Sequence, residues 1–87
     1  MYVIAIYDVA AERTGKMLKL CRQYLTWIQN SVFEGELTEV HYQELIYETE
    51  QLMDPSYDSF ILFSNRVITW MEKEIVGVEK GPTDQFL

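Results

Sequence analysis

Residues 2–7, YVIAIY, form an unbroken run of β-branched, aromatic and small apolar side chains. No polar position interrupts the run, so the pattern predicts a strand covered on both faces. The period then changes. Met17, Leu20, Cys21 and Tyr24 recur at three- and four-residue steps, with Leu18 and Leu25 at the edge, as on one face of a helix over residues 11–25. Gly15 costs such a helix about 1 kcal/mol relative to Ala, which argues for a start later than Glu12. Residues 26–30 and 31–37 are β-rich, with Trp27, Ile28, Val32 and Phe33. Gln29-Asn30-Ser31 fits either a tight turn between two strands or the middle of one long strand. Thr38 is a good N-cap. Residues 39–53 follow with Val40, Tyr42, Leu45, Ile46, Leu52 and Met53 at helical steps, until Asp54-Pro55 ends the pattern. SFILF, residues 59–63, is a second fully apolar strand. Residues 67–78, with Trp70, Met71, Ile75 and Val76, suit a strand pair or a short helix, and Gly77 and Gly81-Pro82 punctuate their end.

The resulting order is strand, helix, strand, strand, helix, strand. That is the split βαβ arrangement of an α+β, ferredoxin-like βαββαβ fold, with residues 66–87 adding a C-terminal strand and tail. Two helices cover only one face of such a sheet. Tyr2, Ile4 and Ile6 alternate with Val3, Ala5 and Tyr7, so both faces of the first strand are apolar. A second copy of the chain is the simplest cover for the other face, which predicts a homodimer packed through the sheet faces, with the C-terminal segment contributing to it.

Length and composition narrow the picture. At 87 residues the chain is a single domain, and 48% apolar content with six Tyr, four Phe and two Trp gives a rich core for that size. No apolar run approaches the roughly 20 residues of a membrane-spanning helix. The first residues include Asp8 and lack a basic leader and a small-residue cleavage site, which argues against a signal peptide. Cys21 is the only cysteine. A cytoplasmic, membrane-free protein is the expectation.

The net charge of −7 argues against nucleic acid until its distribution is considered. Arg13, Lys16, Lys19 and Arg22 fall within ten positions, so residues 12–25 carry +3 and the rest of the chain −10. Lys16, Lys19 and Arg22 project away from the apolar face of the first helix and make a candidate phosphate-binding surface. Asp8 ends an apolar strand on the face of Ile4 and Ile6, and two readings stand for it. It caps the next helix or satisfies loop amides. Alternatively, two Asp8 carboxylates across a dimer axis share one Mg²⁺ and support phosphodiester chemistry. Other chemistry is poorly supplied. His41 is the only histidine, no second Cys or His completes a zinc site, and no glycine loop cradles phosphate.

MYVIAIYDV at residues 1–9 and IQNSVFEGEL at residues 28–37, at this spacing, resemble the CRISPR-associated protein two family. WMEKEIVG (residues 70–77) and the tail ending in Gln85-Phe86-Leu87 are also similar, so the resemblance spans the chain. It implies a ferredoxin-like homodimer of spacer acquisition that binds duplex DNA and bridges integrase subunits. It also implies a metal-dependent endonuclease on single-stranded RNA or double-stranded DNA. The family's Mg²⁺ ligand falls on Asp8, preceded by Tyr7 as in the family pattern. Arg13 and Lys16 match its basic positions, and Ser31 and Phe33 its Ser-Val-Phe signature. Many members have Arg where this chain has Trp27. Two functional classes follow: a Mg²⁺-dependent phosphodiesterase using Asp8, and a non-catalytic scaffold of the integration complex. A ferredoxin-like ligand-binding regulatory domain is the third.

Overall fold

The computed structural model describes residues 1–66 and 74–81. Its elements are β1 (Tyr2–Asp8), α1 (Ala11–Tyr24), β2 (Thr26–Gln29), β3 (Val32–Glu36), α2 (Glu39–Leu52) and β4 (Ser59–Asn65). The strands form one antiparallel sheet in the order β2-β3-β1-β4. The βαββαβ expectation therefore holds. Among the described residues, no helix is long and apolar enough to cross a membrane.

The side-chain alternation of β1 sorts its residues between two different environments. Val3, Ala5 and Tyr7 are buried with Phe33 of β3 and with Met17, Leu20 and Cys21 of α1. Leu45 of α2, with Leu25 and Leu37 beside the strands, completes this core. Tyr2, Ile4 and Ile6 lie on the other face and are only partly buried. In the ladder Ile6 stands opposite Ile61 and Ile4 opposite Phe63, and these two residues of β4 are 50% and 58% exposed.

Local chemistry explains the element boundaries. Residues 26–37 form two strands, because Asn30 takes a left-handed φ of 48° that closes a turn, a conformation Asn tolerates better than most residues. Trp27 pairs with Phe33 and Gln29 with Val32, so Ile28 is an extra residue that bulges β2. Thr38 caps α2 as expected: its Oγ1 accepts the His41 backbone N–H at 3.1 Å.

Two expectations need correction. Gly15 does not delay α1, which begins at Ala11. The first turn is held from outside, since the Ala10 N–H donates to Asp58 Oδ1 at 2.9 Å and the Arg13 side chain binds the same carboxylate. Val40 does not join the apolar face of α2; it is 66% exposed. Five residues separate it from Leu45, roughly 140° around a helix from that buried position. Thr49, four residues after Leu45, is buried instead and donates its hydroxyl to the Ile46 carbonyl at 2.8 Å.

The extra strand expected over residues 66–87 falls mostly outside the described residues, and residues 74–81 form neither strand nor helix. They pass over the open sheet face. Ile75, Val76 and Val78 border a cavity of about 500 Å³ with Tyr2, Ile4 and Val32. Gly81 lies against β2, where an added Cβ would sit 2.5 Å from the Trp27 carbonyl oxygen.

Candidate functional site

Asp8 is the last residue of β1 and stands opposite Ser59. Its position on the strand aligns it with Ile4 and Ile6 on the open face. It is exposed, and no hydrogen bond or ion pair engages its carboxylate among the described residues. Of the two readings of Asp8, the helix-cap one finds no support, since the residue before α1 is Ala10 and no side-chain cap bond forms.

Tyr7 sits on the opposite face of the strand. It is buried, and its ring stacks on Phe33 at 6.1 Å between centroids and 28° between planes. Burial raises its hydroxyl pKa above the ordinary tyrosine value. Tyr7 and Asp8 are thus neighbours in sequence on opposite faces of β1. Ser31 and Phe33 support the strand: the Ser31 carbonyl accepts the Tyr7 N–H at 3.2 Å, and Phe33 is wholly buried.

The carboxylate that organises the loop after Asp8 is Asp58, which the sequence reading missed. Its side chain is fully buried. It accepts from Ala10 N–H and Asp54 N–H, both at 2.9 Å, and from Arg13 Nε at 2.5 Å and Nη2 at 3.1 Å. A buried charge is tolerated when so many donors surround it. The Arg13 guanidinium in particular holds the Asp58 carboxyl well below the usual carboxylate range. This cluster ties the β1–α1 loop to the segment entering β4, on either side of the Asp8–Ser59 pair. A DPSYD stretch between helix and strand was the available signal, but its partner lies 45 residues away.

Arg13 is therefore engaged, whereas Lys16, Lys19 and Arg22 are exposed on α1. No carboxylate lies within ion-pair distance of these three among the described residues. Glu12, four residues before Lys16, instead approaches Arg13 at 3.8 Å. Lys16 and Lys19 border a groove against Glu48, Gln51 and Leu52 of α2. Arg22 turns toward β2, with its guanidinium carbon 5.8 Å from the centroid of the Trp27 ring. Residues 38–65 contain no Lys or Arg and carry Glu39, Glu44, Glu48, Glu50, Asp54 and Asp58. The helical layer is basic on one helix and acidic on the other.

The remaining candidates behave as core or surface groups. Burial pushes the Cys21 thiol up to about 12, so it stays protonated. His41 is exposed and meets Tyr24 edge-on at 6.4 Å. Among the described residues no three His, Cys, Asp or Glu side chains gather as a metal cage. A lone carboxylate such as Asp8 would suit a hydrated Mg²⁺, which takes one or two carboxylates and fills its sphere with water and phosphate oxygens.

The family model for CRISPR associated protein Cas2 matches residues 1–72. A CRISPR-associated endoribonuclease Cas2 of Fusobacterium nucleatum is 46% identical over 92 residues, covering 100% of this chain and 87% of the relative. The protein of the same name in Dictyoglomus turgidum is 44% identical over 87 residues, covering 100% of both. Among solved structures, a crystal structure of Cas2 superposes with a TM-score of 0.83 at 36% identity, covering 100% of this chain and 98% of the other. Streptococcus pyogenes Cas2 gives 0.68 at 30% identity, covering 82% and 100%. With β1 ending at Asp8, β3 beside it and the sheet order all in place, the chain belongs to the Cas2 family of CRISPR-associated proteins.

Proposed function

We propose that this protein works in CRISPR adaptation as a cytoplasmic homodimer that binds duplex DNA and bridges integrase subunits. The observation that carries the reading is the row Lys16, Lys19 and Arg22, exposed and, among the described residues, free of ion pairs on a chain of net charge −7. Isolated cations on an acidic protein are suited to phosphates, and a dimer presents the row twice. Pairing of the open faces would bury Ile61 and Phe63, which one chain leaves in water. If three to six phosphates are contacted, log affinity falls against log salt with a slope of roughly −3 to −5. Duplex-binding titrations at several salt concentrations measure it. A salt-independent affinity, or one unchanged by Lys16→Glu with Lys19→Glu, would sink the reading and leave a ligand-binding regulatory domain as the successor.

A second reading, phosphodiester hydrolysis, is favoured by Asp8. It is exposed, unpaired and on the face that the dimer would close, and relatives carry the name endoribonuclease. Asp8 would hold Mg²⁺ alone or with its twofold mate. When bound, the ion would activate water and offset charge on the scissile phosphate. Asp8 would anchor the ion from the open face, and Tyr7, buried on the opposite face of β1, would support the strand that presents it. Cleavage of single-stranded RNA and duplex DNA is compared for wild type and Asp8→Asn, with Mg²⁺ and with chelator. The hydrolytic reading expects cleavage that needs both Asp8 and Mg²⁺. Without it, the scaffold role stands alone.

A further inference from the structure

Arg22 differs from the two lysines that precede it. Its guanidinium lies over the Trp27 ring at 5.8 Å, within the roughly 6 Å over which a cation is drawn to an aromatic face. The ring beneath is itself fixed. The indole N–H donates to the Asn30 carbonyl at 2.8 Å, and Asn30 is the left-handed residue that closes the β2–β3 turn. Trp27 also stands opposite Phe33 in the ladder and packs against the buried core. The guanidinium therefore rests on a held plate, while Lys16 and Lys19 end flexible stems.

A guanidinium carried this way keeps two surfaces for a ligand. Its N–H edge matches a phosphate, and its outer face stacks on a nucleobase. Base faces are available in a single strand and hidden in a duplex. The three cations also lie on a path. At three-residue spacing each is turned about 60° back from the one before. They run obliquely from the groove beside α2, lined by Lys16 and Lys19, to the edge strand β2. The acidic α2 borders one end of this path and Trp27 the other.

We propose that Arg22 and Trp27 form a stacking platform for an unpaired nucleobase of a single-stranded nucleic acid whose phosphates follow Lys16 and Lys19. The inference rests on the nucleic-acid reading above and adds a single-stranded ligand as a second occupant of the row that reading gives to duplex DNA. In this chain the aromatic residue at position 27 would serve recognition through the arginine it carries.

The test uses the full chain and fluorescence anisotropy with a short oligouridine, an abasic strand of equal length and a blunt duplex. Oligothymidine beside oligouridine tells DNA from RNA as the source of the strand. Wild type is expected to prefer the base-bearing strand to the abasic one by roughly five- to a hundredfold. Arg22→Lys keeps the charge and loses most of that preference. Trp27→Leu removes no charge and does the same, while Lys16→Gln weakens all probes alike. Arg22 is exposed, so Arg22→Lys carries the test even if Trp27→Leu folds poorly. Equal binding of base-bearing and abasic strands by wild type, or a preference intact in Arg22→Lys, overturns the platform. Retained duplex binding would then leave the nucleic-acid reading standing. Failure to bind any probe overturns both.

Discussion

The two faces of the sheet are made of similar residues and reach different ends. Under the helices, Val3, Ala5, Tyr7 and Phe33 are sealed and in contact with Met17, Cys21 and Leu45. On the other side Ile4 and Ile6 are only half covered, and Ile61 and Phe63 stand in water. The polar groups divide the same way. Asp58, buried near the sheet edge, is surrounded by four donor contacts. Asp8, on the open face, has none among the described residues. One face is finished by its own chain and carries stability. The other is only partly covered among the described residues, by Ile75, Val76 and Val78 beside Tyr2 and Ile4, and partly covered surface is where a partner or a ligand gains binding energy.

Breaking the finished face is expected to have the largest effect. Phe33→Ala removes a wholly buried ring that stacks on Tyr7 and should cost about 3–5 kcal/mol in a denaturant titration. That is a large share of the roughly 5–15 kcal/mol that stabilises a domain. Asp58→Asn comes next. The Asp58 carboxyl lies below its usual range in the folded chain, so the unfolded chain takes up the proton first as pH falls. Its stabilising contribution is complete above about pH 4 and drains away as pH drops toward the folded value. The acid limb of a stability–pH profile should therefore be shallower in Asp58→Asn, with lower stability at neutral pH. Thr38→Ala removes the cap on His41 N–H and should cost about 1 kcal/mol in the same titration.

The smallest effect on monomer stability is expected on the unfinished face. Ile61→Ser with Phe63→Ser alters residues already half exposed and should leave far-UV circular dichroism in place. Sedimentation should nevertheless show a shift from dimer toward monomer. An unchanged association state would mean that this face is not where copies meet, and the contrast between the faces would then describe solvation alone.

The sequence made the fold legible wherever neighbours along the chain decide the outcome. YVIAIY, SFILF, the Thr38 cap and the Asp54-Pro55 stop all act within a few residues, and each element forms where it was expected. Asp8 was also legible, because strand alternation alone places it on the face of Ile4 and Ile6. Interactions between distant residues were not. Arg13 matched a basic family position, yet it is held by Asp58 across 45 residues. The early start of α1 depends on that same contact. Val40 was misplaced for a different reason: a list of three- and four-residue steps tolerates one that drifts off the face centred on Leu45. The pairing of Arg22 with Trp27 spans only five residues, but it crosses from the end of α1 into β2, so neither the helical nor the strand period places the two side chains together.

The division of charge between the helices also bears on how encounters begin. Phosphates are repelled by a helix carrying Glu39, Glu44, Glu48 and Glu50 and attracted by one carrying Lys16, Lys19 and Arg22. A polyanion that drifts within about 8 Å, the screening distance at physiological salt, feels a torque before it feels a contact. In the proposed nucleic-acid reading the molecule would be turned to lead with α1, so collisions on the acidic side would be discarded early and the binding orientation over-represented. Such steering belongs to the rate of arrival, and added salt slows arrival more than it hastens departure.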